Sequence, residues 1–229
     1  MSELDHSLIS ELPLFAGLRK AELDEILDEA RPLHLPKNAR AFEQGEDAHS
    51  FFVLLHGHIR AAKTTVDGQQ VIVRFVTPGE TFGVAVAIGV SAYPATATAV
   101  DDSLILVWPS EAWPRLIAKC PALSATTLHV VGERLHESHT RIIEMSTQQV
   151  DRRVARALLR LVRQAGRKTE SGIEIDFPIT RQDIAEMTGT TNYSVSRVLS
   201  TWEGQGVVEG HRQRIIVRNP KALAQIADK

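Results

Sequence analysis

Cysteine is nearly absent from this chain. Cys120 stands alone among 229 residues, which excludes an intrachain disulfide and any cluster held by several thiolates. Long apolar runs are missing too: no stretch approaches the roughly 20 residues that a membrane-crossing helix needs. The opening MSELDHSLISEL lacks the basic-then-apolar pattern of a secretion signal. No P-loop, dinucleotide fingerprint or nucleophile–base motif occurs, and no low-complexity tract. These absences lead us to expect a cytoplasmic protein that is not an enzyme. Hydrophobic and charged shares of 43% and 24% are ordinary for a globular chain long enough for one large or two modest domains.

An excess of positive charge is also missing from the whole, whose net charge is −2. One part has it. Residues 1–146 hold 12 Lys+Arg against 19 Asp+Glu, whereas residues 147–229 hold 14 against 9. Such asymmetry is expected where one domain alone meets phosphate.

Within the basic part, Ile179 to Gly210 reads as two helices joined by a tight turn. Thr180 is a natural N-cap with Asp183 three residues on to answer it, and Gly189 ends the first helix where a left-handed residue is needed. Thr190 or Thr191 can cap the second. Val195, Val198, Leu199 and Trp202 then face inward, leaving Asn192, Tyr193, Ser196 and Arg197 outward near its start. Amide, hydroxyl and guanidinium groups on one exposed front suit the major groove. A plain helical hairpin with a polar face would read the same in this window. The adjoining segment favours DNA: Val207-Val208, a tip His211-Arg212-Gln213-Arg214, then Ile215 to Val217 make a basic hairpin, hence a winged helix-turn-helix.

The preceding segments divide in two. Ala21 to Ala30 carries Leu23, Ile26 and Leu27 at helical spacing, part of a helical stretch over residues 3–31 broken at Pro13. From Leu33 to Pro109, Gly45, Gly57, Gly68 and Gly79 punctuate short alternating runs (Phe51–Leu55, Ile59–Thr65, Gln70–Val76, Thr96–Val100, Leu104–Trp108). That rhythm predicts an antiparallel β-roll, with Asp67-Gly68 at a type I′ hairpin turn. Beyond Pro121, Leu128, Val131, Leu135, Ser138, Ile142 and Met145 succeed one another at spacings of three and four, a narrow seam suited to a parallel two-helix contact. The alternative is a helix packed only on the roll. Val150 to Gln164 forms a further helix whose arginines either meet DNA backbone or make a solvated face. The fold class is α+β, with a β-roll sensor domain at 1–120, a dimerisation helix at 121–146 and the winged domain at 147–229.

This order, with Phe42-Glu43-Gln44-Gly45-Glu46, Pro78-Gly79-Glu80-Thr81-Phe82-Gly83, Tyr93-Pro94-Ala95-Thr96-Ala97 and Ile179-Thr180-Arg181-Gln182-Asp183-Ile184-Ala185 with Val195-Ser196-Arg197, resembles the Crp/Fnr family of bacterial transcription regulators. The resemblance implies a cyclic-nucleotide-binding-domain-like jelly roll and a homodimer on a two-fold symmetric operator. It also implies contact with RNA polymerase; the Asp67-Gly68-Gln69 tip is similar to a polymerase-contacting loop of activating relatives. Ser196 and Arg197 match the family's Ser-Arg pair, which touches phosphate and base. The DNA-binding set is then Thr180, Arg181, Gln182, Thr191, Asn192, Tyr193, Ser194, Ser196, Arg197, Arg212 and Arg214. Tyr193 departs from the glutamate many members carry, so their common half-site is not carried over.

The family's cyclic-nucleotide binders resemble one another in a glutamate after the Phe-x-Gly turn and an Arg-Ser pair further on. Here Val84-Ala85-Val86 and Pro94-Ala95 occupy those places, which disfavours cAMP, because a buried cyclic phosphate needs a cationic partner. The N-terminal cysteine cluster of iron–sulfur members is absent as well, and Cys120 reads as a structural thiol. There remain haem or nitric-oxide sensing, another small effector, or control by expression alone. Tyr93-Pro94-Ala95-Thr96-Ala97 is similar to the nitric-oxide-responsive branch. His34, His56, His58, His129, His136 and His139 are the candidate axial ligands, each with an ordinary surface or hydrogen-bonded reading beside it. His56-Gly57-His58 also resembles the HxH pair of cupin metalloenzymes, but Ala62, Lys63 and Phe82 stand where that class needs further ligands. No metal site is expected.

Overall fold

A computed structural model describes Ile9, Leu12, Phe15 and residues 18–228. The helix expected over residues 3–17 falls outside the described residues apart from those three positions. By internal contacts the chain divides into two units, Met1–Lys63 with Arg74–His136, and Thr64–Val73 with Glu137–Lys229.

The first unit holds α1 (Lys20–Asp28), then β1 (Arg31–Leu35), β2 (Arg40–Phe42), β3 (Ser50–His56), β4 (Ile59–Thr64) and β5 (Gln70–Val76) apart from their shared segment Thr64–Val73, β6 (Thr81–Phe82), β7 (Thr96–Ala99) and β8 (Ser103–Pro109), followed by α2 (Trp113–Lys119) and the start of α3 (Pro121–Thr147). The strands form two four-stranded sheets, β1-β8-β3-β6 and β2-β7-β4-β5. Pairs β1–β8, β3–β8, β3–β6, β2–β7 and β4–β7 are antiparallel, as the alternating runs led us to expect.

The period of two along β3 divides its side chains between two cores. Phe52 and Leu54 join Ile59, Phe82, Ala97 and Ile105 in one cluster. Phe51 and Val53 join Trp108 with Ile26 of α1, Trp113 and Leu116 of α2, and Leu123 of α3 in the other. Trp108 is wholly buried, and its indole N–H donates to the Ile26 carbonyl at 2.7 Å, so this side chain leaves no donor unsatisfied.

The hairpin between β4 and β5 forms, but not with a type I′ turn. Gly68 has φ +78°, while Asp67 is not among the residues with positive φ. Gly68 N–H donates to the Thr65 carbonyl and Thr65 N–H to the Gln69 carbonyl. One left-handed residue thus closes a three-residue loop, and a second is not required.

The second unit adds the end of α3, α4 (Val150–Ala165), β9 (Gly166–Thr169), β10 (Gly172–Ile175), α5 (Arg181–Thr188), α6 (Asn192–Gly204), β11 (Val208–His211), β12 (Arg214–Val217) and α7 (Pro220–Asp228). Its sheet runs β11-β12-β10-β9. Val154, Leu158 and Leu161 of α4, Ile184 of α5, Leu199 and Trp202 of α6 and Val217 of β12 are buried together with Leu223 of α7. Among the described residues no helix is long and apolar enough to cross a membrane.

Candidate nucleic-acid interface

The two helices of the motif are positioned by their ends. Thr180 Oγ1 accepts from Asp183 N–H at 3.0 Å, and Thr180 N–H donates to Asp183 Oδ2 at 2.7 Å, the reciprocal cap that the sequence predicts. Gly189 ends α5 at φ +59°. Thr191 then caps α6, its hydroxyl accepting from Ser194 N–H at 3.1 Å and donating to Ser194 Oγ at 3.0 Å. Val195, Leu199 and Trp202 turn inward, so helical periodicity leaves Asn192, Tyr193 and Arg197 exposed at the front, Tyr193 by 78%. Ser196, half-buried, donates to Asn192 Oδ1 at 3.3 Å.

A groove of about 370 Å³ runs between the start of α5, the start of α6 and the wing. Thr180, Arg181, Gln182 and Asn192 line one side and Gly210 to Ile215 the other. The wing turns on Arg212-Gln213, with Gln213 left-handed at φ +68° and His211 opposite Arg214. Its cations differ in their company. Arg181 lies 3.3 Å from Glu203 of α6, and Arg214 pairs with buried Glu174 of β10, which also holds Arg167 at 2.9 Å. Arg197 and Arg212 enter no ion pair with the described residues. His211 beside Glu209, 2.8 Å away, holds that carboxyl below the usual range, with Arg218 adding to the effect.

Sequence reasoning missed Glu174, Glu203 and Glu144. The alternation Ile173-Glu174-Ile175 marks Glu174 as facing away from the apolar side. Which arginines flank it depends on the pairing of β9, β10 and β12, which no local pattern carries. Three of the arginines of α4 are held by neighbouring groups: Arg153 donates to the Met145 carbonyl, Arg156 to the Ala227 carbonyl, and Arg160 to Glu144, while Arg163 is exposed.

Of the seam on α3, Leu128, Leu135 and Ile142 are 74%, 56% and 61% exposed; Met145 is exposed and Val131 half-buried. Leu123 and Thr127 are buried on another side of the same helix, where Arg134 donates to the Thr81 carbonyl. The helix therefore carries two stripes, one facing its own chain and one bare.

The candidate effector residues lie on the roll and on α3. His34 of β1 and His56 of β3 are exposed and flank Leu104 of β8 in register. Half-buried His58 is tied through Nδ1 to Asp101 at 2.9 Å. His129 lies 3.5 Å from Glu133, and His136 and His139 are exposed on α3. Among the described residues no three His, Cys, Asp or Glu gather to hold a metal ion. His56 and His58 do not share one side of a strand as the metalloenzyme reading required. Gly57 between them turns at φ +84°, where a Cβ would stand 2.3 Å from Ser103 Oγ. Cys120 is buried, and burial pushes its thiol up from its ordinary pKa, with Glu22 and Glu25 adding to the shift. In the roll, Tyr93 stacks on Phe42 with centroids 3.8 Å apart, and its hydroxyl donates to the Ser50 carbonyl at 2.7 Å. Phe42 also stacks with Phe52 and Phe82.

Comparison with known proteins agrees with this arrangement. Residues 152–226 match the Crp-like helix-turn-helix domain and residues 32–120 the cyclic nucleotide-binding domain. The chain is 30% identical to the cyclic AMP receptor protein of Thermus thermophilus over 215 residues, 94% of this chain and 96% of that one. It is 27% identical to the fumarate and nitrate reduction regulatory protein of Escherichia coli K12, covering 96% of this chain and 88% of the relative. The structure of FixK2 from Bradyrhizobium japonicum superposes with a TM-score of 0.76 at 22% identity, covering 86% of this chain and 96% of that one. These domains and relatives are regulators rather than enzymes, and the chain belongs to the Crp/Fnr family of DNA-binding transcription regulators.

Proposed function

We propose that this regulator works as a homodimer on a palindromic operator, each copy entering the major groove with the front of α6 and flanking it with the wing. The observation that carries this reading is the bare stripe of Leu128, Leu135 and Ile142, large apolar side chains at heptad spacing that a second copy of α3 would cover. Asn192, Tyr193, Ser196 and Arg197 read bases and backbone, while Thr180 and Thr191 present the helix ends they cap, with Ser194 beside Thr191. Arg181, Gln182, Arg212 and Arg214 flank the phosphate path. The exposed Asp67-Gly68-Gln69 tip is available to RNA polymerase, which makes the output activation.

The signal in this reading is not cAMP. Val84, Ala85, Pro94 and Ala95 offer no charged group to a ribose or phosphate, and an unpartnered buried phosphate is strongly disfavoured. Haem belongs to this reading as one possible signal, because a single axial histidine suffices to hold it and His34, His56, His58, His129, His136 and His139 are the candidates. A second reading, competence without any ligand, draws support from the aromatic stack, in which Tyr93 and Phe82 are already held by Phe42 and Ser50.

The deciding experiment selects a bound sequence from random duplexes, then measures its affinity with cAMP, with nitric oxide and with neither, beside an absorption spectrum of protein expressed with haem supplied. We expect a palindromic site and no response to cAMP, and the spectrum decides between a haem-borne signal and another effector. A response to cAMP at micromolar concentration would overturn the signal, and selection of no common sequence would overturn the operator.

A further inference from the structure

By its contacts the last part of α3 groups with the DNA-binding residues and with the Thr64–Val73 hairpin of the roll, the division along α3 falling between His136 and Glu137. One side chain ties this segment to α4. Glu144 is 4% exposed, and one guanidinium nitrogen of Arg160 on α4 reaches both its carboxylate oxygens at 2.9 Å. Arg156, one turn earlier on α4, lies 3.5 Å away. Next to it, Arg153 donates to the Met145 carbonyl at 3.2 Å, meeting a backbone group that the end of a helix leaves unpaired. The Met145 side chain lies over the turn of the motif, its methyl 3.8 Å from where a Cβ on Gly189 would stand. The joint between α3 and α4 is two residues long, Gln148-Gln149.

Ile142 and Ile143 stand exposed on the same segment. Ile142 precedes Glu144 by two residues, about 200° around the helix, so the stripe offered to a partner and the buried carboxylate face opposite ways. A buried ion pair adds little stability over a well-packed apolar pair, and its best-attested use is to specify one arrangement among several.

We propose that Glu144 is a positioning residue for DNA binding: through Arg160 and Arg156 it clamps the partner-facing end of α3 to the recognition unit. Pairing of two α3 helices then dictates the separation of the two recognition helices. This rests on the homodimer reading above.

The test uses the full chain and a palindrome selected by the unsubstituted protein, with its half-sites at native spacing, moved one base pair apart or together, or present singly. Two linked sites gain about 100-fold or more over one only when both can be engaged together, so the unsubstituted protein should lose about that factor when the spacing changes. Glu144→Gln should bind the native spacing less tightly, lose under about tenfold on respacing, and bind the single half-site unchanged. Exchanging the charges, Glu144→Arg with Arg160→Glu, should restore the full spacing penalty. An undiminished penalty in a folded Glu144→Gln protein overturns the clamp, and if that variant fails to fold, an exchanged pair without a spacing penalty overturns it equally. Absence of a spacing penalty in the unsubstituted protein would instead remove the homodimer, and the clamp with it.

Discussion

At the scale of single residues, the DNA-facing arginines separate into two kinds. Arg181 and Arg214 stand beside Glu203 and Glu174, so their charge is partly compensated before any phosphate arrives. Arg197 and Arg212 have no ion pair among the described residues, and theirs is the charge free to displace counterions. Replacing Arg197 by alanine should cost about 1–3 kcal/mol of specific binding and relax preference at one base position. Arg212→Ala should instead weaken all sequences alike and lower the slope of log affinity against log salt by about 1. Fluorescence anisotropy with selected and scrambled duplexes over a range of salt distinguishes the two, and equal losses on both duplexes for Arg197→Ala would remove it from base reading. Which positions face outward on α6 was legible from periodicity. Which arginines are already engaged was not, because Glu174 and Arg214 are 40 residues apart and meet only across paired strands.

At the scale of elements, the motif depends on its punctuation. Thr180, Asp183, Gly189 and Thr191 do in the structure what their identities and spacing predict, since caps are local interactions. A Cβ at Gly189 would meet nothing closer than Met145 at 3.8 Å, so Gly189→Ala is opposed by the left-handed backbone and not by crowding. It should lower stability by about 1–2 kcal/mol in urea titrations, and Gly189→Asn by less, because asparagine tolerates that conformation. A loss as large for asparagine as for alanine would contradict this account. Among the elements that escaped the sequence reading, two belong to the DNA-binding unit. Gly166–Thr169 is a short polar edge strand with no apolar alternation to reveal it. Pro220–Asp228 did carry a signal: proline at its first position, and Asn219, whose side chain accepts from Ala222 N–H at 3.0 Å.

At the scale of the molecule, the negative balance of residues 1–146 and the positive balance of 147–229 place the phosphate-binding role in one part of the chain. A charge on the bare stripe of α3 should separate the copies. Leu135→Glu is expected to sediment as a monomer and to lose about 100-fold in affinity for the palindrome while keeping its affinity for one half-site. A dimer surviving this substitution would point to a different face. The β-roll, the long helix, the winged motif and its outward residues arise from features within a few turns or strands: period two against period 3.6, cap spacing and turn glycines. Those are set by backbone sterics and neighbouring side chains, so the chain itself determines them. Tertiary structure alone decided that α3 presents one stripe inward and one outward, that Glu144 meets Arg160 and that Glu174 meets Arg167 and Arg214. It also decided that His56 and His58 part around Gly57. Each of these depends on which distant segments come to share a surface, and burial turns such chance neighbours into obligatory partners because a charge removed from water must be met by another.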